Sequence, residues 1–247
     1  MEHFWSFFSF PLNIMLAILW MVGWGWLYKS RKESAILRFM LSSMATVIAL
    51  ALLAVGGLWV GLSGNRTFVQ SLPFVLILLY LQTVIYLITL RGWKTPSKGI
   101  RWRFTLIHVG LLLAIGAGFW GCPDTKECRT ILERGQSTRQ AYEIGGHLTG
   151  LGYEIQLNDY VAAYSESGQP VHYEAVISVD SKPEVKVTVN HPYNVRFGED
   201  IYLASVSEQS CVLQIVREPW RYIALFGIIM LLAGAFMLFI GGPKRCG

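Results

Sequence analysis

Five stretches of the chain run apolar with no Asp, Glu, Lys or Arg inside them: residues 11–28, 39–62, 72–90, 104–121 and 222–240. Each is close to the ~20 residues a helix needs to cross ~30 Å of hydrocarbon at ~1.5 Å per residue. The pattern predicts five transmembrane α-helices. The first stretch does not read as a signal peptide. Its N-terminal flank carries Glu2 and no Lys or Arg, and no small-residue cleavage site follows it.

Between the fourth and fifth stretches the pattern changes. Residues 153–165 and 172–180 are rich in Tyr, Val and Ile with partial alternation, and 185–190 alternates cleanly. Residues 200–207 and 211–217 read as two more strands. Turn chemistry separates them at 165–170 and at 180–184, and Pro192 interrupts the ladder after Asn190 and His191. Residues 131–146 fit neither a helix nor a strand pattern well. The expectation is an integral membrane protein with five transmembrane α-helices and a small extracytoplasmic antiparallel β-rich domain between helices four and five. That domain is a sandwich or a partial barrel, and its strand order is not legible in the pattern. The boundaries are 1–121 for the four-helix membrane region, 122–219 for the β domain, and 220–247 for the last helix and tail.

Composition narrows the class further. Only 15% of residues are charged and 53% are hydrophobic, against ~25% charged in a typical soluble domain. A pI near 9.0 invites a nucleic-acid reading, but the charges are segregated. Lys29, Arg31, Lys32 and Arg38 follow the first span, Arg91, Lys94, Lys98, Arg101 and Arg103 follow the third, and Lys244 and Arg245 close the tail. The loop after the second span carries Arg66 alone. The positive-inside rule then puts the N-terminus outside and the C-terminus in the cytoplasm. Residues 122–221 hold 14 acidic against 9 basic residues and lie outside. Tryptophans flank both ends of the spans, as expected of interfacial residues.

Candidate chemistry is sparse. Cys122 and Cys128 flank the sequence PDTKE and are a disulfide candidate, with Cys211 left odd. The sequence contains no nucleophile elbow, phosphate loop, zinc-ligand spacing or paired-acid motif, so no catalytic residue is assigned and enzymatic status stays open. His108 is the one histidine inside a predicted span. An ionisable residue there is costly and reads as functional by default. It can bond a neighbouring helix or the inner headgroups, or its neutral imidazole can give a lone pair to a metal. Gly110, Ala114, Ala117 and Gly118 share one helical face with small-residue spacing, and His108 points nearly opposite. Gln82 and Thr83 read as inter-helix hydrogen-bonding groups, and Trp20 and Trp24 as packing residues or as a platform for a flat cofactor.

From residue 187 onward the motifs accumulate. Asn190-His191-Pro192 ends a strand, Ile201-Tyr202-x-x-Ser205 lies in the next long one, and Arg217-Glu218-Pro219 leads into the last helix. Upstream, Leu157, Asp159 and Tyr160, then Tyr164, Ser165, Gly168 and Pro170, follow in order, and His108 and Gly110 form an H-x-G step in the helix before the domain. This series, over roughly residues 100–240, resembles the ResB-type (CcsB-type) cytochrome c biogenesis proteins. The resemblance implies a subunit of a bacterial inner-membrane complex that exports haem and attaches it to apocytochrome c. It also implies a partner of the CcsA (ResC) type, since the tryptophan-rich haem-handling motif of that partner is not in this sequence. By the same resemblance His108 is the candidate ligand for haem iron, haem being a transient cofactor. His191 is a weaker haem- or peptide-contacting candidate, read otherwise as a turn residue. The alternative function is a non-catalytic membrane scaffold or sensor with an outer β domain.

Overall fold

The computed structural model describes residues 8–240 except 32, 65–67, 69–70, 96–98, 144, 165–169 and 208. Most of the turn expected at 165–170, the tail cations Lys244 and Arg245, and Cys246 lie outside the described residues. Residues 1–123 with 220–247 form one compact unit, and residues 124–219 form a second.

In the first unit the elements are α1 (Leu12–Ser30), α2 (Ala35–Met40), α3 (Ser43–Ser63), α4 (Leu72–Gly92), the short strands β1 (Lys94–Thr95) and β2 (Gly99–Ile100), α5 (Trp102–Gly121) and α6 (Arg221–Ile240). Among the described residues, α1, α3, α4, α5 and α6 are long and apolar enough to cross a membrane. The third element begins later than its apolar run suggests. Ser42 caps α3, its Oγ accepting from the Ala45 N–H at 3.2 Å, and the residues before it form the separate one-turn-plus helix α2. A cap that satisfies a free backbone donor is a stronger boundary than hydropathy.

Helix α4 carries the most buried residues, among them Leu81, Gln82, Val84, Ile85 and Leu87, and packs on α1, α3 and α5. Helices α5 and α6 meet along glycines. A Cβ on Gly110 would stand 2.6 Å from the Gly227 carbonyl oxygen, and one on Gly227 would stand 2.7 Å from the Ala114 nitrogen. Where lipid removes the hydrophobic drive between helices, such close backbone approach supplies the van der Waals packing. Gly118, expected in the same seam, faces open space. It sits too far round the helix to reach the contact.

The second unit is one eight-stranded antiparallel sheet: β3 (Lys126–Glu133), β4 (Ser137–Glu143), β5 (Leu148–Tyr164), β6 (Pro170–Val179), β7 (Val185–Thr188), β8 (Tyr193–Arg196), β9 (Glu199–Val206) and β10 (Ser210–Arg217). Its order is β7-β6-β5-β4-β3-β10-β9-β8. Every neighbour is consecutive in the chain except β3 and β10, whose full-length pairing runs from Lys126↔Arg217 to Glu133↔Ser210. The meander thus closes on its first and last strands and stays open between β7 and β8. β9 packs across the interior against β5, β6 and β7. The architecture is a partial barrel, and the domain's first and last strand residues, Lys126 and Arg217, are paired neighbours.

Period-two alternation builds the interior. Leu151, Tyr153, Ile155 and Leu157 of β5, Ala175, Ile177 and Val179 of β6, and Cys211, Leu213 and Ile215 of β10 all face inward. Full burial of one such aliphatic side chain contributes about 1.5–3 kcal/mol. Within the stretch 131–146, residues 131–133 end β3 and residues 137–143 form β4. They were hard to read because β4 buries only Ala141 and the rest of its side chains are polar or outward.

Two resemblance motifs acquire structural roles. Gly198 adopts φ +72°, and a Cβ there would stand 2.6 Å from the Pro219 Cα. The Glu218 N–H donates to the Gly198 carbonyl at 2.6 Å. The Arg217-Glu218-Pro219 element is therefore seated on the β8–β9 turn. Asn190 and His191 lie in the tight turn from Thr188 to His191, the only link between the barrel's two open edges in the ladder of described residues.

Candidate functional site

His108 lies two turns into α5, half-buried, and is held by its own helix. Its Nδ1 is 2.9 Å from the Phe104 carbonyl oxygen. A carbonyl only accepts, so Nδ1 carries the proton and Nε2 keeps the lone pair. The Phe104 ring stacks on the imidazole at 3.9 Å between centroids and 23° between planes. That ring is itself fixed from the neighbouring helix, because a Cβ at Gly92, the last residue of α4, would overlap it. Arg101, just before α5, covers the same ring with its guanidinium carbon 4.9 Å from the centroid. The arrangement is an imidazole with a defined tautomer and orientation, the form a metal-ligating histidine takes when its second nitrogen is anchored.

The polar groups of α1 and α4 form a separate layer. Trp120 Nε1 donates to Gln82 Oε1 at 3.1 Å, and Trp20 Nε1 donates to Thr83 Oγ1 at 3.2 Å. Trp20 also packs against Tyr86 and Trp120, and Trp24 packs on the Leu37–Leu87 cluster. These residues serve helix packing. Asn13, buried on α1, donates from Nδ2 to the Trp120 carbonyl at 2.8 Å. Sequence reasoning missed it, although an asparagine inside an apolar span was the available signal.

In the barrel, His191 is exposed and paired through its backbone with Thr188, the two N–H···O bonds measuring 3.2 and 3.3 Å. Cys122, Cys128 and Cys211 are free thiols. The expected Cys122–Cys128 bridge is not formed. The alternation of β3 turns Cys128 into the barrel core, whereas Cys122 is exposed. Burial pushes the Cys211 thiol up to about 12. Burial, reinforced by the Glu143 carboxylate, also raises the Cys128 thiol. Neither is a ready nucleophile.

One ionic cluster around a buried carboxylate was not foreseen. Glu199, almost fully buried, accepts from the Tyr153 hydroxyl at 2.6 Å and from Arg196 Nε and a terminal guanidinium nitrogen at 2.9 and 2.8 Å. Burial, and then the bond to Glu199, raise the Tyr153 phenol above its ordinary range. Both carboxylate oxygens are satisfied, so the cluster braces the barrel rather than offering a reactive group.

These elements define a multi-pass membrane protein with an antiparallel partial barrel inserted between its fourth and fifth spans. Residues 99–210 match the model of the ResB-like family, so the resemblance read from the motifs is borne out over that stretch, which contains His108 and His191. Among solved structures, the Cytochrome c Heme Lyase CcmF is similar at 17% identity and a TM-score of 0.37, over 91% of this chain. The chain spans 45% of the length of that structure. No curated protein matches the chain.

Proposed function

We propose that the chain is a subunit of a membrane complex for cytochrome c maturation, in which His108 takes haem iron as the haem passes the bilayer. Haem is cargo here, not a resident group. The observation that carries the reading is the anchored tautomer of His108, with Nδ1 committed to the Phe104 carbonyl and the Nε2 lone pair unspent. The ResB-like match across the same helix and the barrel supports it. The charge distribution supports an inner-membrane orientation with the N-terminus outside, the barrel outside and the C-terminus in the cytoplasm. His108 then lies near the cytoplasmic end of its span, suited to uptake rather than to attachment.

Attachment outside requires two thiols of a CXXCH peptide to add across the two haem vinyl groups, each S–H becoming C–S and C–H. Positioning removes much of the barrier to such a step. This chain supplies positioning and not acid–base groups. The barrel's open seam between β7 and β8 offers strand edges to an extended apocytochrome segment. A CcsA (ResC)-type partner supplies the remaining haem-handling surface.

The test is co-purification with that partner, comparing the wild type with His108→Ala. Loss of the haem absorption band and of holocytochrome supports the proposal. Unchanged haem content and unchanged holocytochrome remove His108 from the pathway. Intact c-type cytochromes after deletion of the whole chain would favour the scaffold or sensor reading.

A further inference from the structure

We propose that Arg101 receives an acidic arm of the ligand whose metal His108 holds. Arg101, Phe104 and His108 then form one recognition face for a metalloporphyrin with free carboxylates. The inference rests on the reading of His108 given above and goes beyond it by assigning a second contact and a chemical preference.

Arg101 is the N-cap residue of α5, and Phe104 and His108 follow it at i+3 and i+7, the spacing of one helix face. They are in register physically as well: guanidinium over phenyl ring at 4.9 Å, and phenyl ring on imidazole at 3.9 Å. Arg101 precedes the apolar run of residues 104–121 and His108 lies inside it, so the column grades from the polar end of the span into its apolar part. Seven residues span ~10 Å of helix axis. A flat amphiphile with an ionised edge and a metal centre set back from that edge matches this gradient.

Arg101 is also short of partners. A guanidinium has five N–H donors in a planar fork. Among the described residues its hydrogen bond goes to the Gly92 carbonyl at 3.4 Å, a long contact. No Asp or Glu occurs between Glu33 and Asp124, and among the described residues no carboxylate forms an ion pair with Arg101. The fork is left to a carboxylate from outside the chain, which guanidinium binds in bidentate fashion. Cation–ring contact with Phe104 holds the side chain beside the imidazole rather than free in solvent.

The experiment titrates the full-length chain, in phosphatidylcholine nanodiscs, with ferric protoporphyrin IX and separately with its dimethyl ester, followed by the Soret band. The ester keeps the iron and the ring and loses the acids. The wild type is expected to prefer the free diacid by about tenfold. Arg101→Gln should bring that preference within about twofold while leaving ester binding unchanged, and Arg101→Lys, which keeps the charge but loses the bidentate fork, should keep a part of it, about three- to fivefold. A wild type without preference, or an Arg101→Gln variant that keeps it, overturns the inference and leaves Arg101 as a lipid-headgroup contact. If Arg101→Gln binds neither porphyrin, Arg101→Lys decides, a lost preference there being equally fatal. His108→Ala reports on the underlying reading separately. It should weaken both porphyrins alike, and if it weakens neither, the iron contact falls and the inference with it.

Discussion

The Phe104 ring lies face to face with the His108 imidazole at 3.9 Å, and the backbone carbonyl of the same residue accepts the imidazole Nδ1 proton at 2.9 Å. One residue thus sets both the tilt and the tautomer of the only histidine in the apolar spans. Only the stack can be altered by substitution, since the carbonyl stays. Phe104→Ala removes the ring and empties the slot over Gly92. Stacked ring pairs contribute ~0.5–1.5 kcal/mol beyond their area. Ferric haem titrated into the Phe104→Ala protein should therefore bind about three- to tenfold more weakly than into the wild type. Equal affinity would mean that the ring does not orient the imidazole.

The α5–α6 seam makes an independent prediction. A Cβ at Gly110 meets the Gly227 carbonyl oxygen at 2.6 Å and the Leu231 nitrogen at 2.9 Å, both backbone atoms that cannot swing aside. Gly110→Ala should destabilise the helix pair by about 1–3 kcal/mol, the usual cost of overpacking. Gly118→Ala, into open space on the same helix, should be neutral within ~0.5 kcal/mol. Unfolding of the two variants in detergent, monitored by circular dichroism, separates them.

That pair also marks how far the sequence could be read. Hydropathy located all five spans to within a few residues, because a bilayer imposes one length and one composition. Helical spacing grouped Gly110 with Gly118, but only the actual path of α6 distinguishes a residue on the contact from one just beside it. In the barrel, β5, β6 and β7 were legible from their alternation. β4 was not, since Ala141 is its lone buried side chain. The pairing of β3 with β10 joins the two ends of the domain, and no local pattern encodes such a long-range contact. The Tyr153–Glu199–Arg196 cluster escaped notice for a related reason: its members lie on β5, β8 and β9 and meet only when the sheet curls. The stacking of Arg101, Phe104 and His108 was implicit in their spacing. Gly92, which fixes the ring from another helix, was not.

Gly198 tests the junction between the barrel and the Arg217-Glu218-Pro219 element. Its φ of +72° favours glycine, and the Pro219 backbone occupies the space a side chain would need. Both effects act together in Gly198→Ala, so a loss of about 2–4 kcal/mol is expected. In a thermal melt of the full-length protein, the β-sheet signal of Gly198→Ala should be lost at lower temperature. Gly150→Ala, with no atom near its would-be Cβ, serves as the control.

The thiols give the last prediction, with a defined sign in pH. Cys211 is fully buried, and its thiol is pushed up to about 12 from an ordinary value of 9.0. In the unfolded chain the same thiol ionises near the ordinary value. Its contribution to stability is therefore complete below about pH 9 and is lost as pH rises toward about 12. Tyr153, raised from 10.0, acts in the same direction at still higher pH. The barrel should therefore weaken steadily above pH 9, and Cys211→Ala should flatten the first part of that decline at the cost of a small cavity. Alkylation followed by peptide mapping checks the same burial at neutral pH. Exposed Cys122 should react in the folded protein, and Cys128 and Cys211 only after denaturation. A membrane-impermeant maleimide applied to intact cells extends the assay to topology. Modification of Cys122 without permeabilisation is the result expected if the barrel lies outside the membrane, and protection of Cys122 until the cells are opened would reverse the proposed orientation.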